Sequence, residues 1–231
     1  MKELIEKYGD NMAILEEAID IKLQKQYFKE SKKQKVKLNK SQVMADKEKL
    51  FDNELSDEAK RELLCQLASL DEVEAFRTIE NYKAAPDEKL ADWAILAFQE
   101  SKMLLQSSLM DEKPVFISTG LGGDKNRLRY FIVLFTKNDK PFESYQLPLV
   151  ESELKYIFGQ HNGEIEELNF CDHFVCVTGL VPLNVGLKKM LSQIIAQCNE
   201  IGDFLQTSLL VTNVKKLSVD EILKLKDRKN A

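Results

Sequence analysis

The chain has 231 residues, of which 44% are hydrophobic and 31% are charged, and its formal net charge is −5. This length and composition predict a soluble globular protein with enough apolar residues for one large domain or two smaller ones. The acidic balance excludes a protein that binds nucleic acid over its whole surface, and no apolar run approaches the roughly 20 residues that cross a bilayer.

The start of the chain, MKELIEKYGDNMAILEEAID, is charged throughout. It lacks the apolar core and the cleavage pattern of a secretory signal, so we expect a cytoplasmic location and no membrane. The four cysteines, Cys65, Cys171, Cys176 and Cys198, lie mostly in apolar segments and show no framework of short spacings. We therefore expect reduced, buried thiols.

Apolar residues recur at every third or fourth position from Leu4 to Tyr27. This spacing predicts one apolar stripe along an amphipathic helix. Leu15, Ile19 and Leu23 lie on the stripe, and we expect them to bind a partner surface. That surface is either another helix of the chain, or a second subunit or another protein.

The next segment, KESKKQKVKLNKSQ at residues 29–42, is rich in lysine and poor in apolar residues. Such a segment buries too little surface to offset its ordering entropy, which predicts a solvated linker or a mobile loop. Its lysines could also form an arm that binds phosphates, since lysine clusters attract nucleic acid. The candidate residues are Lys32, Lys33, Lys35, Lys37 and Lys40.

Three helices are predicted at about 56–70, 72–84 and 87–109 from the apolar periodicity. Asp71 with Glu74 has the form of a capping box, and Asp87 after Pro86 is a candidate helix start. Between residues 52 and 100 there are thirteen acidic residues and five basic ones. These acids are either solvated helix faces or a docking surface, for instance for the chain's own lysines at 29–40.

The second and third of these helices form a helix, turn and helix pattern. It consists of Val73, Phe76 and Ile79, then Ala85, Pro86 and Asp87, then Leu90, Ala91, Ala94, Ala97 and Phe98. This pattern resembles a HEAT-type helical repeat. The resemblance implies a stacked helical surface that binds a partner and has no catalytic machinery. A small irregular helical domain is the alternative.

The clearest strand signal lies at Leu128–Thr136, and a second lies at Val115–Thr119. The turn formers GLGGDKN separate them, which predicts a β-hairpin. Apolar residues on both faces of the later strand indicate a central strand that is covered on each side. Further strands are predicted at FESYQLPL, within 165–180 with the best stretch at Phe174–Leu180, and at 208–214.

Helices are predicted around these later strands. The first is short, at 151–158, the second is capped by Asn184, and the last starts with the capping box of Ser218 and Glu221. The expected fold class is therefore α+β. A helical domain at 1–112, with the lysine-rich linker, would pack on a domain at 113–231 that has helices on a mixed sheet.

Basic residues surround the glycine-rich turn. Gly122 and Gly123 let backbone amides approach an anion, but the turn lacks the GxxxxGK[ST] pattern of a phosphate-binding loop. Lys125, Arg127 and Arg129 alternate, so they can project from one face to grip RNA. The predicted strand order does not match the RRM pattern and no RNP-like motif is present. Salt bridges to the acidic helical region are the alternative.

Two further arrangements bear on chemistry. Strand alternation keeps Cys171 and His173 apart from Cys176, and no other cysteine or histidine pair completes a zinc site, so we expect no metal. The turn 120–126 and the segment 178–185 could line one cavity, where the helix start at Asn184 would favour an anion.

The chain has two histidines and no recognised catalytic signature, so we expect a protein that is not an enzyme and carries no cofactor. The favoured function is a protein-binding or adaptor module, or self-association, through a helical surface. One alternative is an RNA- or ribosome-associated factor that uses the lysines at 32–40 and the basic hairpin. The other is a small enzyme or anion-binding protein with its site at the glycine-rich turn.

Overall fold

The computed structural model describes residues 12–110 and 115–230. Within these residues the chain forms two compact units. The helical unit contains residues 12–13 and 19–116, and the α+β unit contains residues 14–18 and 117–230. The domain boundary expected between residues 112 and 113 lies outside the described residues.

Helices make up most of the helical unit. They are α1 (Ile21–Val36), α2 (Lys40–Asp46), α3 (Asp57–Ala68), α4 (Val73–Ala84) and α5 (Ala91–Met110), with 3-10 turns at Lys47–Phe51 and Glu88–Leu90. Helix α5 contacts α1, α3 and α4. Strands β1 (Met12–Ile14) and β2 (Val115–Ile117) pair in a separate two-stranded sheet. The helix pair α4 and α5 coincides with the HEAT-type pattern, whose assignment stays a prediction.

The beginning of the described chain matches the expected helix only from residue 21 to residue 28. Residues 12–14 form a strand, and α1 begins only at Ile21, where the Asp20 side chain accepts hydrogen bonds from the backbone N–H of Lys22 and Leu23. The helix continues to Val36, so residues 29–36 are helical instead of a loop. The part of the stripe before residue 12 lies outside the described residues.

The buried face of α1 is mostly polar, and over residues 29–36 it is entirely polar, so apolar spacing did not predict a helix there. Its buried residues are Gln24, Tyr27, Ser31 and Gln34. The carboxylate of Glu100 on α5 accepts hydrogen bonds from the Tyr27 hydroxyl at 2.5 Å, the Ser31 hydroxyl at 2.7 Å and the Lys35 ammonium at 2.6 Å. Burial and the Glu100 charge raise the pKa of Tyr27 well above its usual value. These contacts fix the lysine-rich part of α1 on α5.

A second polar contact joins three segments of the helical unit. The ammonium of Lys60 on α3, which is 3% exposed, donates to the Asp87 carboxylate at 2.6 Å. The Tyr82 hydroxyl of α4 donates to the same carboxylate at 2.5 Å. The hydrogen bond from Lys60, and to a smaller extent the one from Tyr82, holds the pKa of Asp87 below its usual value. Asp87 therefore connects helices and makes no side-chain cap for its own 3-10 turn.

The α+β unit contains five strands and three helices among its described residues. They are β3 (Gly123–Asp124), β4 (Arg127–Thr136), α6 (Gln146–Gln160), β5 (Glu164–Phe170), β6 (Phe174–Pro182), α7 (Leu187–Gly202), β7 (Leu205–Thr212) and α8 (Val219–Asn230). The α+β class expected from the sequence is confirmed. From β4 to β7 the order of elements is βαββαβ, which is the order of ferredoxin-like folds.

The order of the long strands across the sheet is β7, β4, β6, β5, and the short β3 also pairs with β4. All four pairings within this sheet are antiparallel, where a mixed sheet was expected. The expectation that the strand order would not match an RRM is wrong, because RRMs are also built on a four-stranded sheet of this kind. Fold alone does not assign function.

Two local predictions in this unit are corrected. The segment expected as a strand at FESYQLPL enters α6, where Pro148 is the third helical residue. Proline is tolerated there because the first N–H groups of a helix have no intrahelical acceptor. The hairpin partner of β4 is β3, while Val115–Ile117 pairs with β1.

Strand β4 is central, as expected. It pairs with β6 along one edge and with β7 along the other. On one face, Ile132 and Leu134 join a core with residues of α6 and α7. On the other face, Phe131, Val133 and Phe135 pack in a second core that includes Ile222 of α8. The capping box of Ser218 and Glu221 at the start of α8 is confirmed.

We predict that Asp87→Asn destabilises the helical unit at pH 7 by about 1–2 kcal/mol, because the buried Lys60 loses its counter-charge. The folded pKa of Asp87 is depressed, so its stabilisation is present above the unfolded pKa and is lost as pH falls through the folded value. The difference from the wild type should shrink below about pH 4.

Urea unfolding can be followed by the fluorescence of Trp93, the single tryptophan, which lies in α5 of the helical unit. Glu88→Gln is the matched control, because Glu88 is an exposed neighbour and should be neutral. An equal loss of stability at pH 3 and pH 7 would contradict the role of the charge.

Candidate ligand-binding cleft

An open polar cleft of about 540 Å³ lies at one end of the sheet in the α+β unit. Three segments line it: Lys125, Asn126 and Arg127; Gln160, His161 and Asn162; and Pro182, Asn184 and Val185. They meet because the antiparallel register places Arg127 opposite Pro182, and Glu164 opposite Leu180. The turn 120–126 and the segment 178–185 were expected to line one cavity. This is confirmed for Lys125 and Asn126 of the turn and for Pro182, Asn184 and Val185 of the segment.

Backbone hydrogen bonds fix the walls of the cleft. The N–H of Leu183 donates to the carbonyl of Asn126 at 3.1 Å, which connects the β3–β4 turn to the segment before α7. The N–H of Gly163 donates to the carbonyl of Phe158 at 2.8 Å and closes the end of α6. Lys125 and Asn162 have left-handed backbone conformations, with φ of 54° each. The polar side chains therefore project from turns whose backbones are hydrogen-bonded to neighbouring segments.

Two lining cations differ in how they are neutralised. Arg127 donates to Asp124 and, at 3.0 Å, to Glu164. The hydrogen bond from Arg127 holds the pKa of Asp124 below its usual value. Lys125 is exposed, and no acidic side chain among the described residues forms an ion pair with it. Lys125 is therefore the cation that a ligand would meet first.

Helix α7 begins directly after the lining residue Val185. Its N-cap is Gly186, and its first turn contains no acidic residue but includes the exposed Lys188 and Lys189. The expectation that Asn184 caps this helix is wrong. Two lysines at the positive end of a helix are electrostatically unfavourable, and the first N–H groups lack intrahelical acceptors. An anion at this position would be stabilised.

Arg129 lies outside the cleft and has a structural role. Its guanidinium donates to both carboxylate oxygens of Glu166, at 2.6 and 2.7 Å, and to the carbonyl of Leu121 at 2.7 Å. The basic residues of β4 thus pair with acids of β5 and not with the acidic helical region. Because the guanidinium of Arg129 already donates to Glu166 and Leu121, it is not available to bind an anion.

The glycines of the turn also serve the fold. The N–H of Gly123 donates to the carbonyl of Glu16 at 3.1 Å, and the N–H of Gly122 donates to Thr119. Gly122 has a φ of +68°, and a Cβ there would collide with the backbone of Glu16. The anion-binding role expected of Gly122 and Gly123 is not supported, because these N–H groups already have acceptors.

The other candidate residues lie in the helical unit, except Leu15, which belongs to the α+β unit. Leu15 and Ile19 are 0% and 1% exposed, so they offer no surface to a partner, and Leu23 is half-buried. Lys33 pairs with Glu30, Lys35 with Glu100 and Lys40 with Glu72, while Lys32 and Lys37 are exposed. These lysines do not line the cleft.

Residues Gln160, His161 and Asn162 were not expected in a site. In the sequence they are a polar loop, and only the register of β5 against β6 brings them beside Lys125.

Cys171, His173 and Cys176, which lie close together in the sequence, form no arrangement suited to catalysis or metal binding. In the described ranges, no group of three or more histidine, cysteine or acidic side chains could hold a metal ion. Burial raises the pKa of the Cys176 thiol to about 12, which is the opposite of an activated nucleophile. Within residues 12–110 and 115–230, no helix is long and apolar enough to cross a membrane.

No family model matches the sequence, and no curated protein matches it. Among solved structures, the chain is similar to a candidate transposase from Deinococcus radiodurans R1, with 13% identity and a TM-score of 0.36 over 45% of this chain and 89% of that one. It is also similar to a REP-associated tyrosine transposase bound to a REP hairpin, with 10% identity and a TM-score of 0.34 over 44% of this chain and 60% of that one. Scores this low do not establish a shared fold.

We predict that Arg129→Lys destabilises the α+β unit by about 1–2 kcal/mol, because an ammonium cannot reproduce the two parallel bonds to Glu166. Hydrogen exchange of the β4 and β5 amides measures this loss. Arg228→Lys on the exposed side of α8 makes the same chemical change and should leave exchange unaltered. Equal protection in the Arg129 variant and the wild type would show that the bidentate contact does not stabilise the sheet.

Proposed function

We propose that this chain is a non-catalytic binding protein that holds a single-stranded nucleic acid in the polar cleft of its α+β unit. The observation that carries the proposal is the composition of the cleft, which combines Lys125 with four side-chain amides. The amides are those of Asn126, Gln160, Asn162 and Asn184.

These groups suit two parts of a nucleic acid. Lys125 and the N-terminal turn of α7 can attract a phosphate. Side-chain amides carry both donors and acceptors, so they can read the base edges that single strands expose. A cleft of about 540 Å³ lies in the range that encloses a ligand of nucleotide size.

The lining residues do not support a hydrolytic or transfer enzyme. No carboxylate, cysteine, serine or threonine is among them, and His161 has no acidic partner in the lining. Acid–base catalysis and covalent catalysis both require a positioned pair of groups. The small-enzyme alternative therefore has no support in the cleft.

The charge distribution limits how such a ligand binds. Residues 117–231 contain fourteen acidic and fourteen basic residues, so the net negative charge of the chain resides in residues 1–116. A unit without excess positive charge attracts nucleic acid weakly over its surface. Binding would therefore depend on the few cations at the cleft, with a moderate dependence on salt.

A protein-binding role for the helical unit remains a second proposal. It cannot use Leu15 and Ile19, which are buried. A different surface of the helical unit would have to supply the contact.

The test is fluorescence anisotropy with labelled single-stranded RNA and DNA 12-mers at low and physiological salt. We expect Lys125→Glu to weaken binding by about tenfold, because it reverses the charge that a phosphate meets. The matched control is Lys224→Glu, an exposed lysine of α8, which should change affinity by less than about twofold.

Two results would contradict the proposal. One is equal weakening by both substitutions, which would indicate diffuse attraction and not a site. The other is the absence of binding to either oligonucleotide at low salt.

A further inference from the structure

An apolar groove of about 370 Å³ lies in the helical unit, and helices α1 and α5 form its walls. The residues that line it are Phe28 and Lys35 of α1, Leu96, Glu100, Met103, Leu104 and Ser107 of α5, and Phe116 of β2. Phe28 and Phe116 meet edge to face, with ring centroids 6.2 Å apart. Neither the protein-binding surface expected from the sequence nor the polar cleft includes these residues.

The floor of the groove exposes apolar surface to water. Phe28, Met103, Leu104 and Phe116 are each only partly buried, although all are large and apolar. A contiguous apolar patch with a polar rim is typical of an interaction site. Grooves between two helices commonly receive the apolar face of a third helix.

The α1 rim of the groove is positively charged. Lys25, Phe28, Lys32 and Lys35 are separated by three, four and three positions, so they lie on one stripe of the helix. Phe28 and Lys35 line the groove, which places Lys25 and Lys32 along the same side. All three lysines are exposed. Among the described residues, neither Lys25 nor Lys32 forms an ion pair.

The one carboxylate in the groove does not cancel this charge. Glu100 already accepts hydrogen bonds from Tyr27, Ser31 and Lys35. Its side chain is 14% exposed, so little of its negative charge faces a ligand. The rim therefore favours an acidic partner.

We infer that this groove binds an amphipathic helix of a partner protein, with apolar residues on one face and acidic residues beside them. Charge complementarity with the lysine row selects an acidic helix over a basic or neutral one. The row from Lys25 to Lys35 is about 15 Å long, at 1.5 Å per helical residue, so a helix of about three turns would cover it. This site is independent of the polar cleft.

The experiment uses the full chain and a fluorescein-labelled synthetic peptide of 16 residues. The peptide carries leucine at every third or fourth position and glutamate along the flanking positions. A second peptide of the same composition, with the leucine spacing scrambled, is the control. We expect the scrambled peptide to bind at least about tenfold more weakly, because it cannot present one apolar face.

Variants assign the binding to the groove. Lys32→Glu should weaken binding of the amphipathic peptide about fivefold. Lys37→Glu, an exposed lysine at the C-cap of α1 that is off the row, should change binding by less than about twofold. Met103→Glu places a charge on the apolar floor and should weaken binding more than about tenfold. Lys125→Glu should have no effect, which separates this site from the cleft.

Three outcomes would overturn the inference. Equal binding of the two peptides, or equal weakening by Lys37→Glu and Lys32→Glu, would show non-specific attraction. A change in particle mass on Met103→Glu, measured by light scattering, would assign the groove to a second copy of the chain. If Met103→Glu does not fold, the comparison of Lys32→Glu with Lys37→Glu still decides, since both lysines are exposed.

Discussion

Strand β4 forms hydrogen bonds along both of its edges, and the other long strands of the α+β unit are arranged around it. This strand is hydrogen-bonded to β6 and to β7, and apolar residues on both of its faces are buried. The basic residues near the start of the strand, Arg127 and Arg129, form their ion pairs with acidic side chains of the same sheet. Arg127 and Arg129 do so with Glu164 and Glu166, because β5 lies only one strand beyond β6.

This arrangement determines where a ligand can bind. One sheet face packs against α6 and α7, and the apolar part of the other packs with Ile222 of α8. Neither apolar surface is open. The end of the sheet differs, because turns and a helix start converge there with Lys125 exposed and polar amides around it. Polar cavities in this unit thus lie beyond the ends of β4: the cleft at its start, and a smaller one of about 260 Å³ at its end, lined in part by Thr136, Lys137 and Asp203.

The sequence predicted the parts of the fold that apolar spacing and capping encode. Strand β4 has an unbroken apolar and aromatic pattern, and Ser218 with Glu221 caps α8. Residues 29–36 of α1 were not predicted as helix because their buried side chains, Ser31 and Gln34, are polar. Such groups are favourable inside a protein only with hydrogen-bond partners, which apolar spacing does not reveal; the partner of Ser31 is Glu100. The sequence correctly placed the turn 120–126 and the segment 178–185 beside one cavity. It did not reveal that Gln160, His161 and Asn162 also line this cavity, because only the register of β5 against β6 brings them there.

NMR can show directly whether the cleft holds a single-stranded nucleic acid. The labelled protein would be titrated with an unlabelled RNA 12-mer while its backbone amide shifts are followed. If the cleft binds the RNA, the largest shifts occur at residues 125–127, 160–162 and 184–189. Shifts confined to α1, or to the sheet face beneath α8, with none at the cleft, would contradict it.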